Sequence, residues 1–180
     1  VIAPLAKSEK DMQGYWTIAW ENDNLVSLYQ GLKNKVGNHT ELLYAKGCEV
    51  TDSTKTGFEE AIATAKQADV VIMAVGETLD MSGEAKSKAH IRIPGVQEDL
   101  IKAIQATGKP VVVLVMAGRP LIFNWTADHI PAIMYTWWLG SEAGNAMANV
   151  LFGDYNPAGK LPMTFPRDEG QIPLYYNYLS

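Results

Sequence analysis

The amino-acid sequence predicts an α/β fold, a three-layer α/β sandwich in which helices cover both faces of a mostly parallel sheet of about five or six strands. Two observations predict this fold. Short, continuous apolar runs rich in Val and Ile alternate along the chain with amphipathic helical segments. These runs also lack the apolar–polar alternation of a half-exposed strand, which indicates strands buried on both faces. Strands of this kind, joined by helices, form parallel sheets with right-handed crossovers.

The first half of the chain contains two helical segments and two strand candidates. Residues 24–36 place apolar side chains at helical spacing, and Gly37 ends the pattern. Residues 41–45 form a short strand candidate. Residues 58–67 repeat the helical pattern, and residues 69–75 form a continuous apolar run that ends at a glycine. This order predicts a helix–strand–helix–strand arrangement.

The second half repeats the alternation. Residues 95–107 have apolar side chains on one helical face, and residues 110–116 form a second continuous apolar strand. Residues 132–135 form a third strand, and residues 141–152 a further helix that ends at a glycine. The tail from residue 153 onward is dense in Pro, Gly and Tyr, so we expect an extended closing segment there.

Length and composition indicate a single domain spanning residues 1–180. The chain is 47% hydrophobic and 19% charged, with a formal net charge of −5. A chain of this size can bury a true hydrophobic core. It has no run of Lys or Arg that could follow a phosphate backbone, so nucleic acid is excluded as a partner. Its apolar stretches are far shorter than the roughly 20 residues that cross a bilayer, so no membrane partner is expected.

The residues that would hold a metal or a nucleotide do not occur in a usable pattern. Cys48 is the only cysteine, and the three histidines are scattered along the chain. The segment 153–160 resembles a phosphate-binding loop, but five residues separate its glycines where four are needed. We therefore expect neither a metal nor a cofactor.

The segment 76–94 is the first place to look for a site. It is a long connection without apolar periodicity, and it follows the carboxyl end of a buried strand, where ligands of parallel sheets bind. It contains three carboxylates, Glu77, Asp80 and Glu84. Glu84 has small neighbours on both sides, so a substrate could approach it closely. From the residues alone, Glu84 is either a general acid/base without an identified partner or an ordinary solvated side chain.

Several motifs, taken together, resemble the α/β-sandwich domain of family 3 glycoside hydrolases, with periplasmic-type bacterial β-glucosidases as the nearest likeness. The resemblance runs nearly end to end, in the right order and spacing. It rests on VGE at 75–77, GEAKSK at 83–88, IPGVQ at 93–97, KPVVVL at 109–114, AGRPL at 117–121, WWLGSEAGNA at 137–146 and GDYNPAGKLPMTFP at 153–166.

The resemblance implies roles for individual residues. Family members are retaining glycosidases whose site lies between a (β/α)8 barrel, which carries the nucleophilic aspartate, and the sandwich domain. The residue that matches the family's acid/base is Glu84, with Glu77 as second choice. Glu77, Lys88 and Trp16 are implied substrate-binding residues. The alternative for the aromatic segment 14–20 is that Trp16 or Trp20 packs in the seam between the two domains. The family often has Arg where Lys88 stands.

The function that the resemblance implies is hydrolysis of terminal, non-reducing β-D-glucosyl residues. The expected partners are a carbohydrate substrate and a barrel domain of the same polypeptide, and the expected location is periplasmic or secreted. The opening segment, residues 1–5, resembles the back half of a strand, so we expect the chain to be a fragment of a larger enzyme. Since the resemblance assigns the nucleophile to the barrel, this fragment is expected to be inactive alone. The competing interpretation is a stand-alone carbohydrate-binding or scaffold domain without catalysis.

Overall fold

A computed structural model describes residues 1–18 and 24–177. Within these residues the chain forms three strands and five α-helices, with short 3-10 turns between them. The strands are β1 (Val71–Gly76), β2 (Val111–Met116) and β3 (Ala132–Tyr135). The helices are α1 (Leu28–Val36), α2 (Phe58–Gln67), α3 (Gln97–Gln105), α4 (Asn124–His129) and α5 (Ala143–Leu151).

The three strands form one parallel sheet in the order β1-β2-β3. All three were predicted at these places, and β3 has the predicted bounds. Alternate residues of the sheet enter two separate cores. Met73 and Val113 pack with α2 and α3 in one core, whereas Ala74 and Leu114 pack with α1 and α5 in the other. The helices therefore lie on both faces, which explains why the strands are apolar throughout.

The predicted count of five or six strands is not seen in the described residues. The opening segment and the 41–45 candidate contribute only isolated parallel bridges, which join Ile2 to Met73 and to Ala45. Ala3 has a positive φ of 99°, and the next residue, Pro4, has no N–H to donate. The extended pairing therefore stops after Ile2, although backbone bonds on either side hold this segment against β1.

The helices differ from their predicted bounds mainly at the ends. Helix α1 begins only at Leu28, because the Ser27 hydroxyl caps it by accepting a hydrogen bond from the Gln30 N–H. The short helix α4 was not predicted. It begins after Phe123 and buries Thr126, whose hydroxyl donates to Glu98 on α3.

The tail from Gly153 is extended, as predicted, apart from a 3-10 turn at Glu169–Gln171. It returns to the body of the domain at two places. Phe165 packs its ring against Tyr135 of β3, with ring centroids 4.8 Å apart. Arg92 forms an exposed ion pair with Glu169. No helix of the described ranges is long and apolar enough to span a membrane.

Candidate functional site

The long connection between β1 and α3 is closed at its base by one buried side chain. The amide of Gln97, the first residue of α3, bonds both backbone groups of Gly76: its oxygen accepts from the N–H at 2.9 Å, and its nitrogen donates to the C=O at 2.9 Å. The same nitrogen donates to the carbonyl of Pro94 at 3.1 Å. Gln97 thus holds the two ends of the connection together, and we call residues 77–94 the acidic loop.

Gly76 lets the chain leave the sheet at this point. Its φ is +136°, and a Cβ there would overlap the carbonyl oxygen of Met116 on β2. The next residue, Glu77, continues the contact by donating its backbone N–H to the same Met116 carbonyl at 2.8 Å. The carboxyl ends of β1 and β2 are therefore in direct contact where the acidic loop begins.

Glu77 is completely buried and carries two cationic partners. Its Oε1 accepts from Lys88 Nζ at 2.6 Å, and its Oε2 accepts from Arg119 Nε at 3.1 Å. The Lys88 and Arg119 side chains are themselves only 25% and 16% exposed. An unpaired carboxylate in such a place would be strongly destabilising, and pairing to two hydrogen-bonded cations removes that cost. In this chain both oxygens of Glu77 are therefore occupied by protein groups.

The Arg119 guanidinium also reaches the backbone of the acidic loop. Its Nη2 donates to the carbonyl of Met81 and, at 3.0 Å, to the carbonyl of Lys86. The Arg119 backbone is fixed in turn from β3, because the Tyr135 hydroxyl donates to the Arg119 carbonyl and accepts from the Leu121 N–H at 3.1 Å. Burial raises the pKa of Tyr135 above its ordinary value, so this hydroxyl keeps its proton.

Glu84 lies at the tip of a turn between the two carbonyls that Arg119 holds. The turn is closed by the Lys86 N–H, which donates to the carbonyl of Gly83 at 3.2 Å, and Ala85 adopts a left-handed φ of +58°. The Glu84 side chain is exposed. Within the described part of the chain its carboxylate has neither a hydrogen bond nor an ion pair. It is therefore free to meet a group from outside this domain.

An aromatic pair lies beside this turn. The Tyr15 ring fills the space that a Cβ on Gly83 would need, so the turn rests on the ring. Tyr15 makes an edge-to-face contact with Trp16, with centroids 5.3 Å apart, and Trp16 is 68% exposed. The fold thus connects Trp16 to the Glu84 turn through Tyr15. Trp20, the other tryptophan of this segment, lies outside the described residues.

A buried aspartate ties the N-terminal segment to the same loop. Asp11 Oδ1 accepts from the backbone N–H of Leu79 at 2.8 Å, and the Ser8 hydroxyl donates to the other oxygen. This bond holds the start of the acidic loop from the N-terminal segment, whereas Arg119, which follows β2, holds the loop from the C-terminal side of the sequence. The described residues contain no group of His, Cys, Asp or Glu side chains that could hold a metal ion.

A large hollow in the described residues lies elsewhere. It has a volume of about 960 Å³ and is apolar, and it lies between β3, α5 and the tail, with Ile133, Trp137, Val150 and Leu161 among its walls. None of Glu77, Glu84 and Lys88 lines it. The acidic loop therefore presents the Glu84 carboxylate on a surface outside this hollow.

Comparison with known families identifies the fold to which these features belong. The sequence matches the model of the glycosyl hydrolase family 3 C-terminal domain over residues 1–180.

The chain belongs to this family.

Relatives of this family 3 domain include glycosidases from several bacteria. It is 44% identical over 200 residues to the periplasmic beta-glucosidase of Salmonella typhimurium, covering 100% of this chain and 26% of the relative. It is 46% identical over 180 residues to the beta-xylosidase of Formosa agariphila, covering 98% of this chain and 25% of the relative. The chain thus spans about a quarter of the length of these relatives.

Solved structures agree with this assignment. The beta-glucosidase of Listeria innocua in complex with isofagomine matches with a TM-score of 0.89 and 38% identity, over 99% of this chain and 24% of the other. A D270A mutant of the same enzyme, solved in complex with laminaribiose, matches with a TM-score of 0.90. This structural similarity extends over 99% of the family 3 domain, so it applies to the fold as a whole.

Four residues at the site were not singled out from the sequence: Asp11, Tyr15, Gln97 and Arg119. Arg119 could have been found, because it follows β2 and the carboxyl ends of neighbouring parallel strands lie at one edge of the sheet. A cation just after β2 was therefore a candidate partner for the carboxylate just after β1. Asp11 and Tyr15 had no comparable signal, because they come from an irregular segment whose position depends on tertiary packing.

Proposed function

We propose that this family 3 domain supplies Glu84 as the general acid/base of a retaining β-glycosidase. The observation that supports it is the state of the Glu84 carboxylate, which is exposed and unpaired at the tip of a turn held by Arg119 and Tyr15. Glu77, the other candidate in the acidic loop, has both oxygens engaged and no exposed surface. Of the two, only Glu84 can reach a glycosidic oxygen without breaking bonds.

The proposed enzyme contains this chain and a barrel domain of the same polypeptide, which carries the nucleophilic aspartate. Retention requires two carboxyl groups about 5–5.5 Å apart, one of which attacks the anomeric carbon while the other protonates the leaving oxygen. After the leaving group departs, the Glu84 carboxylate takes a proton from water, which then attacks the covalent intermediate.

The proposed substrate class is a terminal, non-reducing β-D-glucosyl residue. It rests on the names of the relatives, which include β-glucosidases, and on Listeria structures solved with glucose and with laminaribiose. One relative, at 46% identity, is named a beta-xylosidase, so β-D-xylosides are the second candidate. Comparing kcat/KM for an aryl β-D-glucoside with kcat/KM for the β-D-xyloside of the same aryl group separates these candidates.

Trp16 is the proposed aromatic platform for the sugar that leaves. An exposed indole offers a large, rigid apolar face to the C–H groups of a sugar ring. In this chain the charged groups of Glu77 and Lys88 pair with each other. Direct contacts of these two side chains with substrate therefore remain predictions. We propose a periplasmic or secreted location, because a relative of this domain is a periplasmic enzyme.

The test is Glu84→Ala in the full-length enzyme. Cellobiose has a poor leaving group, so its hydrolysis should fall by about 10²–10⁴-fold, the usual contribution of a general acid. An activated aryl glucoside needs no proton in the first step, so the covalent intermediate should accumulate. Azide needs no deprotonation and should restore turnover, with the β-glycosyl azide as product.

Asp80→Ala is the matched control, because Asp80 is an exposed carboxylate in the same loop. It should leave cellobiose hydrolysis near the wild-type rate. Near-normal cellobiose hydrolysis by Glu84→Ala, or azide rescue of Glu77→Ala in its place, would show that the acid/base is assigned to the wrong residue.

A further inference from the structure

We propose that Arg119 is a positioning residue that holds the acid/base turn in its working geometry. This inference rests on the proposed role of Glu84. It assigns to Arg119 no contact with substrate. Its function is to fix the backbone on both sides of Glu84, so that the carboxylate meets the glycosidic oxygen at the right place.

The contacts of the guanidinium support this role. One edge donates from Nε to the buried Glu77 carboxylate at 3.1 Å. The neighbouring Nη2 donates to the carbonyls of Met81 and Lys86, which lie on opposite sides of Glu84 along the chain. A single rigid, planar group therefore joins the base of the acidic loop to both limbs of the turn.

The turn needs such support because its own sequence does not favour it. Ala85 is left-handed at φ +58°, which costs a non-glycine residue roughly 1–2 kcal/mol. The turn is exposed, and its internal support is a single 3.2 Å backbone hydrogen bond between Lys86 and Gly83. Without Arg119 the two limbs would lose their bonds to the guanidinium, which itself is bonded to Glu77 at the base of the loop.

A purely structural role for the ionic cluster does not account for these bonds. Glu77 is neutralised by Lys88 and Arg119, but a buried ion pair is often no more stabilising than apolar residues of the same volume. Apolar residues could not, however, bind two loop carbonyls. Nor could lysine, because its ammonium is a compact charge and cannot replace the planar fork that bonds Glu77 and both carbonyls at once. Glu77 and Lys88 then serve to hold the guanidinium in its orientation.

The experiment is a double-mutant cycle in the full-length enzyme with Arg119→Lys and Glu84→Ala. Arg119→Lys keeps a cation beside Glu77 but loses the fork to the loop. We expect kcat/KM for cellobiose to fall by about 10–100-fold, as when a catalytic group is misplaced by about 1 Å. In the Glu84→Ala background the same change should cost less than about threefold, since there is no acid/base left to position.

Two further measurements keep the result independent of folding. Labelling of the nucleophile by an activated 2-fluoro-glucoside needs no general acid, so Arg119→Lys should be labelled at a rate close to that of the wild type. Arg167→Lys is the matched control: Arg167 is 73% exposed at a weak ion pair with Asp128, and its replacement should leave both rates unchanged.

The outcomes separate the two proposals. Equal losses from Arg119→Lys in both backgrounds, or equal slowing of cellobiose hydrolysis and of labelling, would overturn the positioning role and leave the acid/base assignment in place. If Glu84→Ala itself hydrolyses cellobiose normally, the acid/base assignment fails, and the positioning role fails with it. Both proposals are supported if Arg119→Lys slows cellobiose hydrolysis but not labelling, and does so only in the enzyme that retains Glu84.

Discussion

At the residue scale, two ionisable side chains, Cys48 and Glu77, are buried, with opposite consequences. Glu77 remains in the interior because Lys88 and Arg119 neutralise it. Cys48 lies among apolar side chains of the core that α2 and α3 form with the sheet, and burial raises the pKa of its thiol from 9.0 to about 11, with smaller contributions from Asp52 and Glu49. The interior tolerates the charge of Glu77 because that carboxylate is paired, whereas burial keeps the Cys48 thiol neutral.

The raised pKa predicts a pH dependence of stability. Below about pH 9 both the folded and unfolded states keep the thiol proton, so Cys48 has its full stabilising effect. As the pH rises towards 11, the unfolded chain loses this proton while the folded chain keeps it, and the free energy of unfolding falls by up to about 3 kcal/mol. We expect the difference in unfolding free energy between the wild type and Cys48→Ala to shrink from pH 8 to pH 10.5. A constant difference over this range would contradict the shift.

At the element scale, the site depends on how closely β1 and β2 approach at their carboxyl ends. The Met116 carbonyl lies where a side chain on Gly76 would be, and it accepts the Glu77 N–H. Gln97 at the start of α3 bonds both backbone groups of Gly76. A strand, its neighbour and a helix thus converge on one residue before the acidic loop begins.

This convergence predicts that Gly76→Ala is unusually destabilising. The new Cβ would overlap the Met116 carbonyl as well as straining a backbone at φ +136°. We expect a loss of about 3 kcal/mol or more in unfolding free energy, from overpacking and strain together. Gly108→Ala is the matched control, because its φ is +76° but nothing lies within 4 Å of the new Cβ. It should cost about 1 kcal/mol, from strain alone. Equal losses in urea titrations of the two variants would exclude the close approach as the cause.

At the scale of the whole molecule, the proposed function makes this domain one half of a catalytic apparatus. Its proposed acid/base is exposed and has no partner among the described residues, and the large apolar hollow beside β3 is on another part of the surface. The chain spans about a quarter of the length of its relatives. An exposed carboxylate outside this hollow is what we expect of a domain that forms one side of a site between two domains.

The isolated 180-residue chain should therefore not hydrolyse aryl β-glucosides above the buffer rate. Without the nucleophile no covalent glycosyl intermediate can form, and the loss of such a group commonly costs several orders of magnitude. The same chain with Glu84→Ala provides the background rate, and the two preparations should be indistinguishable. Robust hydrolysis by the unmodified chain, abolished by Glu84→Ala, would refute the two-domain arrangement.

The sequence alone determined the parallel α/β fold and the positions of β1, β2 and β3, because these depend on local periodicity. The role of Glu84 stays a prediction that rests on the resemblance of its motifs to the family. Only the tertiary structure decided that Glu77 is buried between Lys88 and Arg119, and that Tyr15 and Arg119 hold the Glu84 turn. The contact of Glu77 with Arg119 exists because the parallel strands β1 and β2 place their carboxyl ends at the same edge of the sheet, whereas Tyr15 reaches the turn from an irregular N-terminal segment. Pairing by packing across that edge leaves no periodic signal in the sequence. The first two strand candidates form only single bridges in the structure. The positive φ of Ala3 and the missing N–H of Pro4 interrupt the pairing that their apolar neighbours would otherwise favour.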